Sequence, residues 1–137
     1  MKIYFSGSIK GGREHQEWYE YIVGLLQGYG EVLTEFVSDK NLTSYGTVGM
    51  TDKEIYDRDV ALIKDSEIII ADITTPSLGV GYEISYAENL NKRICCLYHN
   101  TPGKRVSSMI VGSPHCEIFP YETREDIKKI LESIFKE

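Results

Sequence analysis

The sequence predicts an α/β three-layer sandwich built on a five-stranded parallel sheet, and three observations carry that prediction. Short apolar runs alternate with longer segments of helical period, as βα units require. The run Ile68-Ile69-Ile70 has no polar alternation, so its strand must be covered on both faces and belongs at the centre of the sheet. The chain has 137 residues, 42% hydrophobic and 26% charged, which suits one core and excludes collagen-like, coiled-coil and disordered classes. Residues 1–137 are therefore expected to form a single domain.

Lys2 to Ser6 reads as the first strand and Gly7 to Gly12 as a glycine-rich loop. From Arg13 to Gln27, Trp18, Tyr21, Ile22, Leu25 and Leu26 recur at helical spacing, and Gly28 and Gly30 stop the helix. Glu31 to Thr34 suits a short second strand, and Ser38 to Thr51 a surface loop. Thr51 with Glu54 resembles a capping box and opens a helix to Lys64. Glu67 to Ile73 is the central strand. A turn at residues 74–78 leads into a helix from Gly79 to Asn91. Arg93 to Tyr98 is the fourth strand, Ser107 to Val111 a short helix or turn, Glu117 to Phe119 a fifth strand, and Arg124 to Phe135 a closing helix. This succession matches flavodoxin-like or Rossmann-like sandwiches, whose ligands bind beyond the carboxyl ends of the strands. The loops after Ser6 and Ile73 are where function should lie.

Fifteen Lys and Arg against 21 Asp and Glu give a net charge of -6, the wrong sign for a protein that neutralises a phosphate polymer. Nucleic acid is excluded on that ground, but a small anion held by local amides is not. The three cysteines, Cys95, Cys96 and Cys116, form no CxxC pair, which points to a reducing, cytoplasmic setting. No apolar stretch is long enough to span a bilayer, so no membrane role is expected.

The first loop, Gly7 to Arg13, offers backbone amides to an anion, although a plain glycine turn fits the same residues. In the second, Pro76 to Glu83, Ser77 can cap a helix while Gly79 and Gly81 leave room for a ligand at the amides. Glu83 falls on the apolar stripe beside Val80, Ile84 and Ala87, where a carboxylate without a partner is costly. Asp59 repeats this, lying inward with Ile55, Leu62 and Ile63 while Asp57 and Arg58 face outward. Two inward acids on helices flanking the central strand are the equipment of glycosidic-bond cleavage; alternatively, each caps a neighbouring loop. His15, His99 and His115 lack metal-ligand spacing and read as surface residues, and Cys95 and Cys96 as inert strand residues. Tyr4, in the first strand, can donate a hydrogen bond into a cleft.

The segments Tyr4 to Arg13, Val32 to Glu35 and Pro76 to Glu83, taken in order, resemble the 2'-deoxynucleoside 5'-monophosphate N-glycosidases of the nucleoside 2-deoxyribosyltransferase superfamily. The resemblance implies that Glu83 attacks C1' of a deoxyribose and forms a glycosyl ester that water hydrolyses. By the same resemblance Asp59 assists departure of the base and Tyr4 positions Glu83. Ser77, Gly79, Gly81, Gly7, Ser8 and Lys10 would hold the 5'-phosphate, and Ile9 and Ile55 would line the pocket for base and sugar. A serine from a facing subunit, matched here by Ser107 beside Met109, would complete the phosphate site of a homodimer.

No metal or cofactor is implied. Lys10 stands where the family commonly has arginine, Phe36 where mammalian members have histidine, and Ser107-Ser108 departs from the usual order around the serine. The expected function is hydrolysis of 2'-deoxynucleoside 5'-monophosphates to free base and 2-deoxyribose 5-phosphate. The alternatives are a CMP-type ribonucleotide N-glycosidase, a deoxyribosyltransferase, or a non-catalytic nucleotide-binding module.

Overall fold

The computed structural model describes residues 1–9, 15–34 and 49–136. Along the chain run β1 (Lys2–Ser6), α1 (Gln16–Leu26), β2 (Glu31–Val32), α2 (Asp52–Asp65), β3 (Ile68–Asp72), α3 (Leu78–Asn89), β4 (Arg93–His99), α4 (Ser108–Val111), β5 (Cys116–Tyr121) and α5 (Arg124–Ile134). The strands form one parallel sheet in the order β2-β1-β3-β4-β5. Of the flavodoxin-like and Rossmann-like arrangements that the sequence leaves open this is the flavodoxin-like order, with β3 central as expected and all five of its residues buried. Connections from β1 and β3 leave to opposite sides of the sheet, which opens a crevice at the carboxyl ends of these two strands.

Alternate strand residues feed two cores. Ile3, Phe5, Ile70 and Leu97 pack with Tyr19 and Ile22 of α1 and with Ile127 and Leu131 of α5. On the other face Tyr4, Ile69, Ala71 and Cys96 pack with Ile63 of α2 and with Val80, Ile84 and Ala87 of α3. The second strand is shorter than the sequence suggests, and β5 extends further in both directions. Most of the predicted loop over Ser38 to Thr51 lies outside the described residues.

Local chemistry sets the helix starts. Thr51 Oγ1 accepts the Glu54 N–H at 3.1 Å while the Glu54 carboxylate accepts the Thr51 N–H at 3.0 Å, completing the capping box. Gly30 follows α1 where a Cβ would come within 2.3 Å of the Met1 carbonyl, so only glycine lets the chain pass there into β2.

The α1/α5 face ends in a buried polar knot. Asp72, wholly buried at the end of β3, accepts from Tyr121 Oη at 2.6 Å and from the Thr74 N–H at 3.0 Å. His15 Nε2 bonds Tyr121 Oη and lies 3.4 Å from Asp72 Oδ2, and its ring neighbours those of Trp18 and His99. His15 and His99 are therefore not the surface residues the sequence suggests: the His15 side chain is only 11% exposed. A buried carboxylate needs donors, and here a backbone amide and polar side chains drawn inward surround it. His115 does stay exposed. Replacing Tyr121 by Phe removes one of these donors and should lower unfolding stability by roughly 1–3 kcal/mol, read from urea titrations at neutral pH.

Candidate active site

Strand β1 presents Tyr4 and Ser6 on the face covered by α2 and α3, since residues two apart share a face. Helix α3 meets them with Glu83. Ser77 fixes the start of that helix, its Oγ accepting the Val80 N–H at 3.2 Å, and the helical period then turns Glu83 toward the sheet beside buried Val80, Ile84 and Ala87. Tyr4 Oη donates to Glu83 Oε2, and Ser6 Oγ donates to Oε1 at 2.9 Å. Burial pushes the Glu83 carboxyl up to about 7; the two hydrogen bonds and Arg58 oppose that rise, and the Asp59 charge adds to it. Desolvation and the negative charge of Glu83 hold the Tyr4 phenol well above its ordinary value, so it remains a donor.

Glu83 opens onto a cavity of about 360 Å³. Gly7 and Ile9 form one wall, Ile55, Arg58 and Asp59 of α2 a second, and Ser77 and Gly79 lie at the N-terminal end of α3. The two inward acids thus share one space, although they come from different helices. Arg58 corrects the sequence reading. It does not face outward with Asp57 but lines the cavity, with Nε 2.9 Å from Asp59 Oδ1, whereas Asp57 points away and pairs with Lys53 at 2.6 Å. An aliphatic stem lets arginine follow a cavity wall while its guanidinium reaches a carboxylate, an option helical periodicity does not register.

Gly7 earns its place by contact: a Cβ there would lie 2.9 Å from Cζ of Tyr19, whose hydroxyl accepts the Ser8 N–H at 2.9 Å. Ser8 is buried with its amide donated to Tyr19, and it is not among the residues that line this cavity. Gly81 donates its N–H to the Ser77 carbonyl at 3.1 Å and lines a different concavity. That leaves Leu78 and Gly79 as the first-turn amides of α3 that helical geometry does not pair. Lys10, like Phe36, lies outside the described residues. Ser107 and Met109 line the second concavity, across α3 from Glu83, together with Leu78 and Ile110.

Sequence reasoning missed Ser6, Arg58 and an aromatic wall of Tyr56, Tyr82 and Tyr86. Ser6 had a signal, its two-residue offset from Tyr4 on one strand. The tyrosines had none that separates them from the ten in the chain. Among the described residues, no group of three or more His, Cys, Asp or Glu is placed to hold a metal ion. Cys95 is buried, and burial pushes its thiol up to about 12, in keeping with an inert strand residue.

Residues 3–111 match the family model described as nucleoside 2-deoxyribosyltransferase. The chain is 45% identical over 138 residues to the 5-hydroxymethyl-dUMP N-hydrolase of Danio rerio, covering 99% of this chain and 96% of that protein. It is 38% identical over 138 residues to the 5-hydroxymethyl-dUMP N-hydrolase of Homo sapiens, covering 98% and 79% respectively. Among solved structures it is similar in fold to a CMP N-glycosidase of Clostridium botulinum, with a TM-score of 0.65 at 17% identity over 95% of this chain and 98% of that one.

Because Glu83 binds its proton more tightly in the folded chain than in the unfolded one, the native state holds more protons between pH 4.5 and about 7. Stability contributed by this group therefore falls as pH rises through that window and stays lower above it. Glu83→Gln, which cannot ionise, should be more stable than the parent protein at pH 8 by up to about 3 kcal/mol, with the gap closing below pH 4.5. Urea unfolding at the two pH values measures the difference.

Proposed function

The chain belongs to the nucleoside 2-deoxyribosyltransferase family, and from that membership we propose that it hydrolyses the N-glycosidic bond of 2'-deoxynucleoside 5'-monophosphates, releasing a free nucleobase and 2-deoxyribose 5-phosphate. One observation carries the reading above the others: Glu83 and Asp59 face a single cavity, with Glu83 held by two donors from β1. A carboxylate so placed stabilises positive charge growing on the sugar and then captures it. Residues 1–137 serve this reaction as one catalytic domain.

In the first step a Glu83 oxygen bonds to C1' while the C1'–N bond breaks, its electron pair leaving on the base. Asp59 assists departure of the base, by proton donation or by orienting the groups around the sugar, and the base leaves with a proton from Asp59 or from water. In the second step water attacks C1', the ester bond breaks with its electron pair returning to Glu83, and the water's proton leaves through Asp59. Tyr4 keeps the carboxylate aimed throughout. Ser77 and the first-turn amides of α3 take the 5'-phosphate, where the positive end of the helix favours an anion. That remote contact supplies binding energy and separates nucleotides from nucleosides. Ile9 and Ile55 support base and sugar with apolar surface.

The phosphate site is completed by Ser107 of a second copy in a homodimer. Ser107 and Met109 lie across α3 from the Glu83 cavity, and the apolar side chains around them, Leu78 at 97% and Met109 at 85% exposure, are what a covered interface would use. Sedimentation should report a dimer that Met109→Glu dissociates.

Incubating the protein with each deoxy- and ribonucleoside monophosphate, 5-hydroxymethyl-dUMP included, and resolving released base by chromatography tests the reaction. Release from deoxynucleotides and not from deoxynucleosides is the expected result. Glu83→Gln should lower turnover at least a hundredfold (about 3 kcal/mol) while nucleotide binding persists. Unchanged turnover in that variant would remove Glu83 from the chemistry.

A further inference from the structure

The carboxylate of Glu83 ends a torsion that is broad and roughly two-fold, so one hydrogen bond leaves its plane free to swing. Here both oxygens are engaged, and the two donors come from one strand. Tyr4 and Ser6 stand two residues apart on β1, paired across the sheet with Ile69 and Ala71 of β3, so a single rigid element sets the position of both. Ser6 is 1% exposed and its hydroxyl meets Oε1 at 2.9 Å. A small apolar residue would fill the same space in the strand without meeting Glu83.

We propose that Ser6 is a second positioning residue for Glu83, fixing the plane of the carboxylate jointly with Tyr4 so that an oxygen faces the anomeric carbon. This rests on the N-glycosidase reading above for its consequence, though the contact itself does not. When one oxygen of Glu83 bonds to C1', the other becomes the ester carbonyl and keeps a donor from β1. When water attacks C1', the electron pair of the breaking ester bond returns to a carboxylate whose charge the same donors stabilise, which makes Glu83 a better leaving group. Ser6 therefore acts in both steps without touching the substrate. It also counteracts the desolvation that would otherwise keep Glu83 protonated and unreactive at neutral pH.

The test follows the carboxyl directly, so it does not depend on turnover. The protein, Ser6→Ala and Ser6→Cys are prepared with glutamate labelled with carbon-13 at the side-chain carboxyl, the Glu83 signal being assigned by its loss in Glu83→Gln. Loss of a hydrogen bond to a charged acceptor should move the Glu83 titration midpoint up by about one pH unit in Ser6→Ala, with Ser6→Cys, a weaker donor, in between. The acid limb of kcat/KM should move with it, and kcat at neutral pH should fall about tenfold with little change in KM. A midpoint and acid limb unchanged in a folded Ser6→Ala, or in Ser6→Cys should the alanine variant not fold, overturn the assignment. A parent protein that releases no base while the midpoint shifts as stated would overturn the N-glycosidase reading and leave the hold of Ser6 on Glu83 standing.

Discussion

The pair of hydrogen bonds from Tyr4 and Ser6 to Glu83 joins strand β1 to helix α3 at the carboxyl edge of the sheet, and the site is organised around it. A carboxylate pointed at an apolar sheet face would neutralise itself or turn away to water if nothing met it. Two hydroxyls from the strand meet both of its oxygens, so Glu83 can stay inward at the edge of its ionisation range. The cavity is lined by Asp59 and Arg58 of α2 on one side and by Glu83 of α3 on the other.

The sheet keeps two polar constructions apart. On the α1/α5 face Asp72 is surrounded by Tyr121, Thr74 and His15. On the α2/α3 face Glu83 has comparable donors but stands beside a void large enough for a small molecule. The same problem, a carboxylate at the end of a central strand or on a covering helix, is thus settled in two ways. Around Asp72 aromatic rings close in, whereas Glu83 faces a cavity.

Much of this was legible in the residue pattern. The triple isoleucine run identified the central strand, because only a strand covered on both faces tolerates such a run. Thr51 with Glu54 and Ser77 marked helix starts through bonds that span three residues. Glu83 and Asp59 were visible as acids out of phase with their helices. Arg58 was not, because its stem reaches around the helix and helical phase alone cannot show that. His15 was not, because the carboxylate that draws it in is 57 positions away in the chain. The amides of Ser8 and Gly81 donate to Tyr19 and Ser77, which no local pattern around the two loops foretells.

By itself the amino-acid order determined which segments become strands and helices, which strand is central, and which two acids are turned inward, since each depends on periods of two or 3.6 residues and on caps reaching three positions. Tertiary structure decided what those acids face. Whether a buried carboxylate meets hydroxyls or open space depends on residues tens of positions away. Tyr4 and Glu83 are separated by 79 positions, and only the packing of α3 against β1 makes them neighbours.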